Sequence, residues 1–183
     1  TSPSKIKELM IKYGAKPSKG LGQNFLIDKR ILEKIISSAD LKKEDIILEI
    51  GPGIGTLTQE LAHKSGKIIA VEKDKKMMEI LKETLANYNN TEIINGDILE
   101  IKNLDLFKNY KIIANIPYYL TSPLIRKFLE TENRPQFMVL MLQKEVAQRI
   151  CSKPPDMSLL AVSVQFYADA KIISYVSKNC FWP

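Results

Sequence analysis

The stretch Ile46-Ile47-Leu48-Glu49-Ile50-Gly51-Pro52-Gly53-Ile54-Gly55 joins a short apolar run to three closely spaced glycines. An isoleucine-rich run of this length predicts a buried parallel strand. The glycines let the main chain approach a ligand with no Cβ atom in the way. Residues 56–63 follow with helical spacing, so the whole stretch predicts a strand, a ligand-binding loop and a helix.

Apolar runs and helical patterns alternate along the rest of the chain. The other predicted strands are 67–71, 92–94, 111–114, 136–142 and 160–166. The other predicted helices are 29–38, 75–88, 122–130 and 144–152. This alternation predicts an α/β fold with a doubly wound, mostly parallel sheet.

Composition and charge indicate one globular domain behind a basic arm. The 183 residues are 45% hydrophobic and 26% charged, which is enough apolar material for a single core. Residues 1–20 hold five lysines against Glu8 and so carry +4 of the net charge of +6. We therefore predict a basic arm at 1–20 before a domain at 21–183, and a polyanionic partner. The alternative is a solvated tail with no binding role.

Several classes of protein are disfavoured by the residues present. No run of 18 apolar residues occurs, so no membrane span is predicted. The two cysteines form no CxxC pair and there is one histidine, so no zinc cluster is predicted. We expect a reduced, cytoplasmic protein that is monomeric.

The position of Glu49 indicates which cofactor the glycine loop binds. In a dinucleotide fingerprint the third glycine would fall at position 56, which is Thr56. Glu49 comes two residues before Gly51, where its charge would repel a pyrophosphate. The same charge can attract the ammonium and sulfonium groups of S-adenosylmethionine (SAM). We therefore predict a SAM site that includes Glu49, Gly51 and Gly53.

Two further acids end the next two predicted strands. Glu72 can accept hydrogen bonds from both ribose hydroxyls, and Asp97 can accept from the adenine amine of the cofactor. Ile98 beside it can pack on the adenine ring. Any one of these acids could be an ordinary solvated loop residue. Three acids at the ends of three successive strands favour a binding site instead.

The motif Asn115-Ile116-Pro117-Tyr118 follows the predicted strand 111–114 and suggests which reaction the protein catalyses. The lone pair of an exocyclic ring amine is delocalised, so the amine is a poor nucleophile. The Asn115 amide oxygen and the Ile116 carbonyl could hold its hydrogens while the nitrogen becomes pyramidal. Pro117 fixes the turn, and Tyr118 offers a face on which a flipped-out base can stack. Read alone, the tetrapeptide could also be an ordinary strand–turn.

Together, these motifs resemble the KsgA-type small-subunit ribosomal RNA adenine N6,N6-dimethyltransferase family. The resemblance rests on residues 20–26, 49–55, 115–118, 143–149 and 181–183. It implies a Rossmann-like class I methyltransferase domain that methylates two adjacent adenosines near the 3′ end of small-subunit rRNA, on the immature subunit. It also implies that Gln23, Asn24 and Leu26 lie at the SAM site, that Asn115 borders the cofactor as well as the target amine, and that Phe181 packs against the target adenine.

Two alternatives share these motifs. Erm-like enzymes methylate adenine in large-subunit rRNA, and a non-catalytic RNA-binding assembly or transcription factor could keep the same scaffold. Members of the KsgA-type family continue with a seventh strand and a small helical domain, which are absent from residues 1–183. We therefore expect residues 1–183 to hold a complete SAM pocket but to methylate RNA weakly.

Overall fold

The computed structural model describes residues 2–18, 20, 22–101, 109–117 and 120–183. Its strands are β1 (Phe25–Leu26), β2 (Ile46–Ile50), β3 (Lys67–Glu72), β4 (Thr91–Asn95), β5 (Tyr110–Asn115), β6 (Phe137–Met141) and β7 (Phe181–Trp182). Its α-helices are α1 (Pro3–Lys12), α2 (Lys29–Ser38), α3 (Thr56–Ala62), α4 (Lys75–Thr84), α5 (Thr121–Glu130), α6 (Lys144–Ile150) and α7 (Leu159–Tyr167).

The main sheet is parallel, and its strand order is β4-β3-β2-β5-β6. The predicted α/β class with a doubly wound sheet is therefore confirmed. The order reverses between β2 and β5, which are neighbours in the sheet although two strands separate them in sequence. At such a reversal the connections leave in opposite directions, and a crevice opens at the carboxyl ends of the strands. This crevice is where β2 leads into the glycine loop and where β5 ends at Asn115.

Both faces of the sheet are buried. Leu48 packs on one side with Leu124 and Phe128 of α5. Its neighbour Ile47 packs on the other side with Leu32 of α2. Alternate residues of a strand point to opposite faces, so a parallel strand between two helical layers is apolar on both sides. This explains why Glu49 stands out as the one ionisable residue in β2.

The prediction of a strand at 160–166 is wrong. These residues lie in α7, which begins after Ser158, whose hydroxyl accepts from the Ala161 backbone N–H at 3.2 Å. Ala161 and Val164 are buried, while Leu159 and Phe166 are 84% and 80% exposed. The run is apolar and contains Val162 and Val164, but its two buried residues are three positions apart, as on one face of a helix. The end strand of the sheet, over the described residues, is therefore β6.

The predicted basic arm contains a helix that belongs to the core. Helix α1 begins at Pro3 after the N-cap Ser2, and it buries Ile6, Leu9 and Met10. These side chains pack in one cluster with residues of α4. Lys5, Lys7, Lys12 and Lys16 are exposed, so the described part of the segment keeps its basic surface, although it is not a free arm. The division at residue 20 stays a prediction.

Residues distant in sequence form a second, smaller sheet. Strand β1 pairs antiparallel with β7, with Phe25 opposite Trp182 and Leu26 opposite Phe181. The Ile27 backbone N–H also donates to the Cys180 carbonyl at 2.9 Å. We call these two strands the β1–β7 ribbon. It lies beside the crevice, because Phe25, Leu26 and Phe181 all line it.

Candidate functional site

One cleft at the carboxyl ends of the strands brings together the predicted site residues that the structure describes. The glycine loop, the ends of β3 and β5, and the segment before α2 all contribute to its walls. The predicted residues lining it are Gln23, Asn24, Leu26, Glu49, Gly51, Gly53, Glu72, Asp97, Ile98, Asn115, Ile116, Pro117 and Phe181. Tyr118 lies outside the described residues. The role of each residue remains a prediction. Residues that bind one cofactor and one substrate must lie together, and these residues do.

The glycine loop reaches the cleft through backbone conformations that favour glycine. Gly51 has φ of +66° and Gly53 has φ of +60°, in the left-handed region. A Cβ atom on Gly53 would lie 3.0 Å from the ring of Phe25. A Cβ atom on Gly51 would lie 3.5 Å from Pro117. The loop is thus in close contact with the segment before α2 and with the turn after Asn115.

Glu49 is a buried carboxyl group with an unused acceptor. It is 2% exposed, and its Oε2 atom has no hydrogen-bond partner. Loss of hydration on burial raises the pKa of Glu49 to about 8; the neighbouring Thr58 hydroxyl opposes the increase, and the nearby Glu72 adds to it. A buried polar atom without a partner is costly unless a ligand supplies one. Glu49 therefore provides a site for a cationic or hydrogen-donating group.

We expect replacement of Glu49 by glutamine to change how stability depends on pH. The carboxyl group has an ordinary pKa of 4.5 and a folded-state pKa of about 8, so the folded state binds the proton more tightly. Its contribution to stability is therefore complete below pH 4.5 and is lost as pH rises to about 8, by about 1.4 kcal/mol per pH unit. Glu49→Gln should remove this slope, as urea unfolding at several pH values would show.

Glu92→Gln is a suitable control for this experiment. Glu92 lies on β4 in a half-exposed ion pair with Lys67 at 2.8 Å, away from the cleft. Its replacement should leave the slope between pH 5 and 8 close to that of the unmodified protein, within about 0.3 kcal/mol per pH unit. Equal slopes for Glu49→Gln and the unmodified protein would show that Glu49 is ionised in the folded state.

Glu72 holds the glycine loop and the start of α4. Its Oε2 accepts from the Gly53 backbone N–H at 3.0 Å, and its Oε1 accepts from the Asp74 backbone N–H at 2.8 Å. Burial raises the pKa of Glu72, and these backbone bonds oppose the increase. Each carboxylate oxygen has a second lone pair, so both can still accept from a ligand.

Asp74 is a connecting residue that sequence reasoning missed. It caps α4 through Oδ1, and its Oδ2 accepts from Gln23 Nε2 at 2.9 Å. Gln23 Oε1 in turn accepts from the Ser18 backbone N–H at 2.8 Å. An aspartate before a helical run predicts the capping role. Its bond to Gln23, 51 residues away, had no signal in the sequence.

Asp97 faces the cleft as a paired carboxylate. Its Oδ2 lies 2.8 Å from Lys73 Nζ, and its Oδ1 accepts from the Leu99 backbone N–H at 2.9 Å. The Lys73 ammonium holds the pKa of Asp97 below its ordinary value, so the group is ionised at neutral pH. Ile98 beside it is buried and lines the same cleft.

Asn115 ends β5 with its amide nitrogen bound. Its Nδ2 donates to the Asn24 carbonyl at 3.1 Å. The Ile116 backbone N–H donates to the Met141 carbonyl at 3.2 Å, which continues the β5–β6 pairing into the turn. The nitrogen and oxygen of a side-chain amide point in different directions from the carbon that joins them. When Nδ2 is bound to Asn24, Oδ1 therefore points away from Asn24. Asn115 therefore presents an acceptor from a fixed position at the wall of the cleft.

Phe181 has a structural role besides the predicted contact with a base. It pairs with Leu26 in the β1–β7 ribbon and packs, half-buried, on the cluster that contains Leu32. It also lines the cleft. Contact with a target adenine therefore remains a prediction, and the ribbon explains part of the reason for an aromatic residue here.

The family follows from comparison with known proteins. The profile of the family described as "Ribosomal RNA adenine dimethylase" matches residues 14–183. The chain belongs to the ribosomal RNA adenine dimethylase family. The resemblance inferred from the motifs is thereby confirmed, and the match includes the glycine loop, the turn after Asn115 and the β1–β7 ribbon.

Two curated relatives show how similar members of this family are. Both are named "Ribosomal RNA small subunit methyltransferase A". The one from Dehalococcoides mccartyi (strain CBDB1) is 44% identical over 98% of this chain. The one from Alkaliphilus metalliredigens (strain QYMF) is 45% identical over all of it. The chain spans 63% and 66% of the lengths of these two relatives.

Two solved structures share this fold. A dimethyladenosine transferase from Plasmodium falciparum superposes with a TM-score of 0.69 at 36% identity, over 77% of this chain and 52% of that one. The 23S rRNA methyltransferase ErmE gives a TM-score of 0.68 at 30% identity, over 78% and 57%. Both similarities support the Rossmann-like methyltransferase fold. Among the described helices, none combines the length and hydrophobicity needed to cross a bilayer.

Proposed function

We propose that this protein transfers methyl groups from SAM to the N6 amines of two adjacent adenosines near the 3′ end of small-subunit rRNA. The observation that carries the proposal is the Asn115 amide, whose nitrogen is bound to Asn24 and whose oxygen is left for a substrate amine. It stands beside a cleft with buried carboxyl groups, as methylation of an amine by a cationic donor requires. Membership of the family supports the same reaction.

The residues of the cleft fit SAM. Glu49 has a buried oxygen without a partner, and Glu72 lies close enough to raise its pKa. A ligand with an ammonium and a sulfonium group would offset the missing partner of Glu49 and the repulsion between Glu49 and Glu72, because each cation stabilises an ionised carboxyl group. Glu72 would also receive the ribose hydroxyls, and Asp97 the adenine amine. When bound, SAM would supply an electrophilic methyl group on its sulfonium.

The protein's own residues would act by holding the target amine. Asn115 Oδ1 would accept one of its hydrogens, with the Ile116 carbonyl as the second acceptor, so that the nitrogen lone pair turns toward the methyl group. Tyr118 and Phe181 would hold the flipped-out base from its two faces. No strong base is needed, because the methylated nitrogen releases its proton to water. Catalysis would come mainly from positioning.

The partners follow from the same proposal. The substrate would be rRNA within the immature small subunit, and the lysines of residues 1–20 would add electrostatic attraction to its phosphates. The protein would act as a monomer in the cytoplasm. Relatives named as small-subunit methyltransferases favour this substrate over the large subunit, which is named for the ErmE structure.

Methyl transfer to three substrates would test the proposal. The protein is incubated with radiolabelled SAM and with immature small subunits, large-subunit rRNA, or no RNA. We expect label in small-subunit rRNA, recovered as N6,N6-dimethyladenosine after nuclease digestion. Label in large-subunit rRNA would favour the Erm-like alternative. Binding to small subunits without transfer would favour a non-catalytic assembly or transcription factor.

A further inference from the structure

The orientation of the Asn115 amide depends on one main-chain carbonyl. With Nδ2 bound to Asn24 O at 3.1 Å, the opposite flip of the amide would bring two oxygens together. The flip that presents Oδ1 as an acceptor is thus selected by Asn24. On the proposed function, this is the flip that methyl transfer requires, because an amide NH2 cannot accept from the target amine.

That carbonyl belongs to Asn24, the residue immediately before the first strand of the ribbon. The Asn24 C=O and the Phe25 N–H belong to one planar peptide group, so the carbonyl moves whenever Phe25 moves. Phe25 is 6% exposed, and its ring lies under the glycine loop at Gly53. Packing of the Phe25 ring therefore restrains the Phe25 Cα atom, which lies in the same peptide plane as the acceptor for Asn115.

Phe25 is held from its other side by Trp182. Their rings are stacked, with centroids 6.2 Å apart and an angle of 24° between planes. Trp182 also packs on the cluster formed by α1 and α4. Each strand of the ribbon has only two residues, and so short a ladder is weak without side-chain packing. The aromatic stack is then a main source of its rigidity.

We propose that Trp182 is a positioning residue for methyl transfer, which acts through Phe25 and the Asn24 carbonyl to orient the Asn115 amide. This inference rests on the proposed function of Asn115. It assigns a role to a side chain that does not line the described cleft. It also gives a function to the pairing of β7 with β1, the strand that precedes α2.

The first test compares Trp182→Ala with Trp182→Phe, which keeps a ring against Phe25. We expect Trp182→Ala to lower kcat on rRNA by about 10-fold or more, since small misplacements of a reacting group are costly. Trp182→Phe should restore most of the rate. Ile150→Ala, in the separate cluster formed by α5, α6 and α7, controls for loss of core packing. A loss of SAM affinity as large as the loss of kcat would place the effect on the glycine loop and overturn the proposal.

A second measurement follows the hydrogen bonding of the Asn115 side-chain amide in the absence of methyl transfer. In nitrogen-15 NMR spectra of the protein, the Asn115 side-chain NH2 should exchange slowly with water because it is bound to Asn24. Trp182→Ala should speed this exchange and shift the resonance, whereas Ile150→Ala should do neither. An unchanged Asn115 resonance in Trp182→Ala would show that the ribbon does not orient the amide.

A double-mutant cycle separates this inference from the proposed function. If Trp182 acts through Asn115, then adding Trp182→Ala to Asn115→Ala should lower kcat by no more than about twofold. Fully multiplicative losses would overturn the positioning role and leave the catalytic role of Asn115 intact. If Asn115→Ala alone keeps full kcat, the catalytic assignment under the proposed function fails as well.

Discussion

Replacement of Asn115 by alanine should lower kcat for adenosine methylation by about 100-fold or more, while SAM affinity changes little. The Asn115 oxygen matters most when the amine becomes pyramidal, so its loss raises the energy of the transition state more than that of the bound substrate. The Nδ2 bond to Asn24 makes this oxygen preorganised, and a preorganised acceptor needs no rearrangement during the reaction. Steady-state kinetics with saturating SAM would give kcat and KM separately.

Asn90→Ala is a matched control for this variant. Asn90 lies before β4, at the opposite edge of the sheet, where its amide donates to the Ala62 carbonyl at 2.9 Å. The two variants remove the same chemical group from different ends of the sheet. We expect Asn90→Ala to affect stability and to leave kcat within about twofold. A loss confined to KM in Asn115→Ala would show that Asn115 binds the substrate without stabilising the transition state.

The main sheet and its cleft were predictable because local pattern and chain topology agree. A short and mostly apolar run such as 46–50 is typical of a buried strand. The glycines that follow it mark where β2 ends. Parallel strands bring their carboxyl ends to one edge. Residues that follow different strands, such as Glu49, Glu72 and Asn115, therefore had to converge.

Two elements were predicted incorrectly or missed although the sequence held a signal. Residues 160–166 form an apolar run that contains Val162 and Val164, yet Ser158 caps a helix there whose two buried residues, Ala161 and Val164, are three positions apart. Residues 1–20 were interpreted through their lysines. The spacing of Ile6, Leu9 and Met10, with Pro3 at the first helical position, indicates α1. In both segments the helical spacing of the buried residues was overlooked because the interpretation rested on composition.

The contacts that complete the site had no local signal. The β1–β7 ribbon joins two-residue strands that are more than 150 positions apart, and so few residues carry no detectable period. The bonds from Gln23 to Asp74 and from Asn115 to Asn24 likewise depend on how the chain returns to the cleft. Sequence could identify these side chains as site residues, but not which of them hold each other in place.

We expect Glu72→Ala to weaken SAM binding by about 10- to 100-fold, equivalent to roughly 1–3 kcal/mol. The variant loses an acceptor for the ribose hydroxyls. It also frees the Gly53 and Asp74 backbone N–H groups, which the carboxylate holds at 3.0 and 2.8 Å. The glycine loop would then lose one of its anchors as well as its ligand contact. Titration calorimetry of SAM against the variant and the unmodified protein measures the effect without any RNA.

Glu72→Gln separates the two contributions. Glutamine keeps one acceptor oxygen for either Gly53 or Asp74, but its NH2 would face the other backbone N–H donor. We therefore expect an affinity between those of the unmodified protein and Glu72→Ala. Glu92→Ala, on the exposed end of β4, should bind SAM as the unmodified protein does, because its partner Lys67 lies away from the cleft. Unchanged SAM affinity in Glu72→Ala, with the thermal midpoint also unchanged, would remove Glu72 from the cofactor site and leave Glu49 and Asp97 as its acidic residues.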